Sequence, residues 1–315
     1  MRVLGYSETV AALDFPPLVE ALRQAFRGGT IETPAAELHR IPIRDGEEGS
    51  LILLAAWQPG KNFGVKITTA FPATAPDQKP QRRGSYLLHD GKSGEAVALF
   101  DGPALTARRT AAASALAASY LANPDCERLL MVGTGALASH LIEAHASVRP
   151  IHNVLVWGRN SDKAARLARR LDRRNLKVAA ATDLPKAARG AQIICCATAA
   201  QEPILKGEWL TPGVHIDLVG GRTPNMREAD DETMTKARIF VDTREAAETQ
   251  AGDIVSPIAS GVITSFDIAG DLFELTRGDR AGRRYHNQIT LFKSVGHSLE
   301  DLAAAQVALD NAVNG

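Results

Sequence analysis

"RLLMVGTGALASHLIEAHA", residues 128–146, passes from an apolar run through two glycines into a segment with helical periodicity. In a strand–turn–helix unit that binds a dinucleotide, the first glycine allows the tight turn and the second lets the backbone approach a pyrophosphate. A small residue at the third position lets the helix pack closely on the strand. Gly133, Gly135 and Ala138 fill those positions, and Thr134, Ala136 and Leu137 supply the backbone between them. The start of the helix presents unpaired amides to an anion. Such a motif is common by itself, and its neighbours give it meaning. Apolar runs recur as "NVLVWG" (153–158), "KVAAA" (177–181), "QIICCAT" (192–198), "VHIDLVG" (214–220) and "RIFVD" (238–242), alternating with helical segments. That alternation predicts an α/β fold with a Rossmann-type doubly wound parallel sheet, covered by helices on both faces.

In such sheets ligands contact residues just past the strand C-termini, which selects Thr198, Val219 and Gly220 as further cofactor contacts. The end of the second strand chooses the cofactor. Sites selective for NAD commonly place an acid there for the ribose 2′-hydroxyl, whereas this chain has Gly158 followed by Arg159, Asn160 and Ser161. A guanidinium flanked by amide and hydroxyl donors suits a 2′-phosphate, so NADP(H) is the expected cofactor, with NAD(H) as the alternative.

Upstream of residue 100 the chain reads as mixed strands and loops, with "SLILLAAW" (50–57), "GVKITTAF" (64–71) and "SYLLHD" (85–90) as strands. An alanine-rich helix follows in 105–124, stopped by Asn123-Pro124, and residues 290–313 read as a second long helix. These pieces predict a discontinuous α+β domain, 1–120 plus 292–315, with the dinucleotide domain, 121–291, inserted between them. With 315 residues, 45% of them hydrophobic, the chain can close both cores. Lys plus Arg equals Asp plus Glu at 36 each, so no global field gathers nucleic acid or an anionic membrane. No apolar run is long enough for a membrane span or a signal peptide, and the chain reads as soluble and cytoplasmic. Cys126, Cys195 and Cys196 are too few and too poorly spaced for a disulfide framework or a zinc site, so no metal is expected.

Several segments together resemble the ornithine cyclodeaminase and mu-crystallin family: "GVKITTAFP", "LFDGPALTARRTAAASALAASYLA", "VGTGALASH", "EPILKGEWLTPGVHIDLVGG", "TPNMREADDETM" and "FKSVGHSLEDLAAA", in that order over nearly the whole chain. The resemblance implies a homodimer joined through the first domain, and hydride transfer between a nicotinamide and the α-carbon of an amino or imino acid. It makes Arg109 the residue that binds the substrate carboxylate and Lys66 a residue beside the reacting carbon. Chemistry agrees: a guanidinium pairs with a carboxylate in bidentate fashion, and a lysine in a cavity can bind a carboxylate or deliver a proton. Arg109 is also expected near a helix N-terminus, whose positive potential favours an anion. The resemblance further places Ser294, Val295 and Gly296 beside the nicotinamide. His89, His215 and His297 read as ordinary polar or packed residues.

Two features depart from the family's pattern. True cyclodeaminases carry an aspartate where this chain has Arg222, with a lysine where it has Met226, and an arginine cannot act as a base near neutral pH. Arg222 is instead expected at the substrate mouth, adding positive charge for a second substrate carboxylate or for the cofactor phosphates. Glu228 is the nearest carboxylate that could take over the aspartate's role. An arginine usual near the end of the first helical region has Ala36 as its nearest counterpart, with Arg40 or Arg44 as possible substitutes. The reading is an NADPH-dependent reductase of a cyclic ketimine acting on a small imino or amino acid. An ornithine cyclodeaminase, an amino-acid dehydrogenase and a non-enzymatic ligand-binding protein are the alternatives.

Overall fold

The computed structural model describes residues 1–43, 46–72 and 81–314, and the chain divides into two units, Met1–Arg109 with His297–Gly315 and Thr110–Gly296. The division differs from the boundaries at 120/121 and 291/292 expected from sequence. The first break falls inside a helix, because Ser114 of that helix already bonds to the second unit's sheet. The second break lies beyond residues 290–293, which form a strand of that sheet and not the start of a helix.

In the second unit, eight strands form one sheet in which every pairing is parallel. They are β7 (Arg128–Val132), β8 (Asn153–Trp157), β9 (Lys177–Ala180), β10 (Ile193–Cys196), β11 (His215–Leu218), β12 (Arg238–Val241), β13 (Ile268–Asp271) and β14 (Thr290–Lys293). Their order is β13-β12-β14-β11-β10-β7-β8-β9, so the chain reverses its direction of travel between β7 and β10. Because strand residues alternate between faces, Leu130, Ile194, Ile216, Ile239 and Leu291 form one apolar face. They pack with residues of α6 (Leu184–Gly190), α7 (Asp231–Lys236), α8 (Arg244–Gln250) and α9 (Gly252–Ala259). The opposite face meets α4 (Leu137–Val148). There Asp217 accepts hydrogen bonds from Ser114 and Cys195 and pairs with His145, each contact at 3.0 Å, which satisfies a carboxylate that is wholly buried. All three cysteines are free and buried.

In the first unit, a six-stranded sheet runs in the order β1-β6-β5-β4-β3-β2. Its strands are β1 (Arg2–Leu4), β2 (Glu37–Pro42), β3 (Glu48–Gln58), β4 (Asn62–Phe71), β5 (Gln81–Asp90) and β6 (Ala96–Asp101), antiparallel except where β1 joins β6. The expectation of strands and loops alone fails before residue 30, where α1 (Tyr6–Ala11) and α2 (Phe15–Gly28) form. Pro16 and Pro17 sit in the first turn of α2, where a missing N–H costs nothing. Phe15, Leu18, Val19, Leu22 and Phe26 make its buried stripe at helical spacing. One sheet face, with Ala56, Tyr86, Leu88, Ala98 and Phe100, is buried, and α11 (Ser298–Asn314) packs against β3, β4 and β5. The alternate face carries Leu51, Leu53, Val65, Ile67, Leu87 and Leu99, all half-exposed. The alanine-rich α3 (Gly102–Leu121) ends before Asn123-Pro124, as its breaker pair predicts. Among the described residues, no helix is long and apolar enough to cross a membrane.

Candidate active site

Past the C-termini of β7, β8 and β10, at the reversal of strand order, lies a cavity of about 950 Å³. Gly133, Thr134, Gly135, Gly158, Arg159, Asn160 and Thr198 line it, together with Lys163 and the segment from Ala197 to Glu202. The two glycines of the turn have different surroundings. Gly133 has φ +126°, and a Cβ there would come within 2.5 Å of the Ala197 carbonyl oxygen, so the fold itself demands glycine. At Gly135 a Cβ would meet nothing within 4 Å. No packing constraint excludes a side chain at Gly135, so the open space there fits a cradle kept clear for a ligand. Ala138 is buried under the start of α4, as close helix–strand packing requires. Ala136 is the N-cap of α4 and Leu137 its first residue, so both place amides at the helix start without lining the cavity wall.

At the end of β8, Asn160 caps α5 (Ser161–Leu171), its side-chain oxygen accepting from the Lys163 amide at 2.9 Å. That leaves the Asn160 NH₂ group to donate. Arg159 and Lys163 are both exposed at the cavity, whereas Ser161 does not line it. Lys163 escaped sequence reasoning, although its position three residues after an N-cap puts it on the first turn of α5. A Cβ at Gly158 would come within 2.8 Å of Thr134 Cγ2, so a larger residue there would require the Thr134 side chain to turn away.

The strand ends beyond Thr198 are tied by buried charges. Glu228 accepts from the Thr198 N–H at 2.6 Å, the Thr198 hydroxyl at 2.8 Å and the Gly220 N–H at 2.7 Å. Burial pushes its carboxyl up to about 7, against the opposing pull of Lys293. With three donors and no exposure, Glu228 is a brace for Thr198 and Gly220 and not an accessible base. Asp253 accepts from the Glu228 and Ala229 amides and pairs with Lys293, whose Nζ also donates to the Leu218 and Gly220 carbonyls. Asp242 accepts from the Val295 and Gly296 amides at 2.6 and 2.5 Å, fixing the segment after the buried Ser294. Val219, Gly220, Ser294 and Val295 are therefore held at strand ends, and none of the four lines the cavity. Arg222 is exposed, in the segment that follows Gly221, and does not line the cavity either.

In the first unit, β4 and α3 bring Lys66 and Arg109 together. Lys66 Nζ donates to both oxygens of Asp301, at 3.1 and 3.3 Å. Arg109 donates from Nε to Asp301 at 2.9 Å and from Nη1 to Glu300 at 2.6 Å. Both carboxylates lie in the first turn of α11, where the helix dipole favours negative charge. Arg109 itself is not at a helix start, because α3 begins at Gly102, about two turns earlier. Its charge environment comes from Asp301 and Glu300, which outweigh burial and hold its pKa above the usual value. Burial lowers the Lys66 pKa, opposed by Asp301 and reinforced by Arg109. Neither Asp301 nor Glu300 was singled out from sequence, where both fall inside the helix expected over 290–313.

The remaining positions are peripheral. His89 stacks on Phe63 with ring centroids 4.6 Å apart, His215 bonds to Thr290 at 3.1 Å, and His297 lies 3.4 Å from the Thr33 hydroxyl. Burial holds His215 well below the usual histidine range, so it is a packed neutral ring. Ala36 is exposed, Arg40 pairs with Glu48 at 3.4 Å on an exposed strand, and Arg44 lies outside the described residues.

The profile of the ornithine cyclodeaminase/mu-crystallin family matches residues 5–315. A Δ1-pyrroline-2-carboxylate reductase of Paracoccus denitrificans is 38% identical over 305 residues, covering 96% of this chain and 95% of the relative. Among solved structures, the Δ1-pyrroline-2-carboxylate reductase of Thermococcus litoralis, in complex with NADH and L-proline, superposes with a TM-score of 0.90 at 30% identity, covering 100% of this chain and 98% of that one. An archaeal alanine dehydrogenase dimer with bound NAD superposes with a TM-score of 0.88 at 26% identity, covering 100% and 97%. By sequence over nearly its whole length, and by fold, this chain belongs to the ornithine cyclodeaminase/mu-crystallin family.

Proposed function

We propose that this protein is an oxidoreductase that reduces the C=N bond of a cyclic 2-imino acid, with NADPH as the preferred reductant. The observation that carries the cofactor half is Gly135, a turn glycine that faces open cavity and has no protein neighbour to require it. When bound, the reduced nicotinamide supplies a hydride. The Gly133–Gly135 turn and the α4 amides, including those at Ala136 and Leu137, would hold the diphosphate. Arg159 and Lys163, with the Asn160 amide and Ser161, would take the 2′-phosphate, and no acid occupies the Gly158 position to favour NAD. Thr198, Val219, Gly220, Ser294 and Val295 would border the nicotinamide end.

Lys66 and Arg109 would bind the substrate carboxylate, and Lys66 would deliver the proton that imine nitrogen gains as carbon gains hydride. Arg222 would add positive charge at the mouth of the site. The names of the relatives support this substrate class, because adding hydride and a proton across the C=N bond of Δ1-pyrroline-2-carboxylate gives proline. The half-exposed apolar face of Leu51, Leu53, Val65, Ile67, Leu87 and Leu99 supports a homodimer formed through the first unit, since a patch of this kind on a monomer marks an interface.

The test follows cofactor fluorescence, as NADPH oxidation with five- and six-membered cyclic 2-imino acids and as NADP⁺ reduction with L-alanine, together with amino-acid analysis of ornithine incubations, whose conversion to proline leaves the cofactor unchanged overall. Turnover of a cyclic imino acid is the expected result. Tight NADPH binding without turnover of any of these compounds would reduce the protein to a binder and end the proposal.

A further inference from the structure

Lys66, Arg109, Asp301 and Glu300 form a buried cluster of four charges. Side-chain exposures are 8% for Lys66 and Arg109, 2% for Asp301 and 0% for Glu300. Asp301 Oδ1 accepts from Lys66 at 3.1 Å and from Arg109 at 2.9 Å, so a single oxygen sets the distance between the two cations. Glu300 touches Arg109 alone of this pair, from the next position of α11. Tyr86 of β5 lies directly across from Lys66 in the sheet, buried, with its hydroxyl unpartnered among the described residues. Leu54 of β3, on the other side of Lys66, brings no charge.

An array like this is poor at stabilising a fold, because taking charges out of water costs about as much as their attraction returns. Its retention calls for another role. We propose that Asp301 is the positioning residue of this site, holding the Lys66 ammonium and the Arg109 guanidinium at one spacing through a shared oxygen and acting as the counter-ion of Lys66. This rests on the reading of Lys66 and Arg109 as the substrate-facing cations.

The arrangement leaves each cation able to work. Arg109 has five N–H groups, and Asp301 and Glu300 use two of them, so the outer fork of Nη1 and Nη2 retains three. Lys66 has three protons and gives them one partner residue. Burial and Arg109 both disfavour the Lys66 ammonium, while Asp301 supports it more strongly than Glu300 does. In the reduction, hydride adds to the imine carbon and a proton from Lys66 adds to nitrogen. The resulting neutral amine regains its proton from water, and Asp301 stabilises the recharged ammonium. Without Asp301, Lys66 would lose its proton at lower pH and the two cations would repel one another.

The experiment compares Asp301→Asn, Asp301→Glu and Glu300→Gln in the full chain, with two readouts. The first is the pH dependence of kcat/KM for a cyclic imino acid. The second needs no substrate: the ¹³Cε resonance of Lys66 is titrated in protein carrying labelled lysine, assigned by its loss in Lys66→Arg. For Asp301→Asn the expected result is a fall of about one pH unit or more in both the Lys66 midpoint and the basic limb of the profile. Asp301→Glu should keep the limb in place while lowering kcat/KM roughly tenfold through the altered spacing. Glu300→Gln should move the midpoint by clearly less than Asp301→Asn does. A lower rate for Asp301→Asn at every pH, with an unmoved Lys66 midpoint, would show a merely structural acid and overturn the inference. If Asp301→Asn does not fold, Asp301→Glu decides, and wild-type activity in that variant overturns the inference. A shifted midpoint in a protein that reduces no imino acid would refute the proposed reaction while supporting the counter-ion assignment.

Discussion

Glu228 Oε2 accepts the backbone N–H of Gly220 at 2.7 Å, so a buried carboxylate eight residues downstream holds the end of β11 in place. Its carboxyl is raised from 4.5 to about 7 by burial. A pKa raised on folding means that the folded chain binds the proton more tightly than the unfolded chain. Its stabilising contribution is therefore full below about pH 4.5 and is lost as the pH rises through about 7. The size is on the order of 3 kcal/mol. Urea unfolding of wild type and Glu228→Gln at several pH values isolates this group. The difference in stability, wild type minus variant, should grow by about that amount from pH 8 to pH 4.5, and a pH-independent difference would contradict it.

Gly133 and Gly135 should separate folding from ligand binding. Gly133→Ala forces a Cβ against the Ala197 carbonyl at positive φ and should lower the melting temperature strongly. Gly135→Ala meets no protein atom, so its melting temperature should match wild type while NADPH binding weakens roughly tenfold or more. Fluorescence titration and thermal melts check both, and unchanged NADPH affinity in Gly135→Ala would remove the diphosphate from this turn.

Arg159 and Lys163 test cofactor choice. Arg159→Ala should weaken NADPH binding by about 1.5 to 3 kcal/mol while leaving NADH nearly unchanged, because only NADPH carries the 2′-phosphate. Lys163→Ala should act in the same direction with a smaller effect, as a single flexible ammonium does not make the planar paired contact of an arginine. Equal losses for the two cofactors in isothermal titration would mean that neither residue reads the phosphate.

How much of this was legible depended on what fixes each residue. The turn after β7 was legible because backbone geometry permits little but glycine at 133, and the parallel strands because burial on both faces makes them uninterrupted apolar runs. β14 was misread as helix: a four-residue strand, parted only by Ser294–His297 from the helical "SLEDLAAAQ", gives too short a run for periodicity to decide. The stripe of α2 was present in Phe15, Leu18, Val19, Leu22 and Phe26, with a Pro-Pro start, and went unread beside the strands that follow. Asp301, Glu300 and Asp242 were illegible for a different reason. Their roles depend on partners between 53 and 235 positions away, and no local pattern reports such a distance.

Lys66→Ala and Arg109→Ala should each lower turnover of a cyclic imino acid by a factor of at least about 100, with NADPH affinity kept within about threefold because neither lines the dinucleotide cavity. Both should also cost stability, on the order of 3 kcal/mol, since each leaves a buried carboxylate short of a partner. Activity is therefore to be measured below the melting range of each variant. Wild-type kcat/KM in either would remove that residue from the site.

Arg222 separates reduction from cyclodeamination. Ring closure of ornithine requires a group that takes a proton while the distal amine attacks and ammonia leaves, whereas reduction requires only a bound imine, a proton and a hydride. At the position that the resemblance matches to the aspartate of cyclodeaminases this chain has Arg222, which is exposed, and an arginine stays protonated. Glu228 does not replace it, because both of its oxygens are engaged by the Thr198 and Gly220 donors and it is fully buried. The wild-type protein should therefore form little or no proline from ornithine while oxidising NADPH with a cyclic 2-imino acid. Arg222→Asp should raise ornithine turnover only weakly, because the resemblance sets Met226 where cyclodeaminases have lysine. Amino-acid analysis of ornithine incubations decides the matter: stoichiometric proline and ammonia from the unmodified protein would show that a different carboxylate serves as the base.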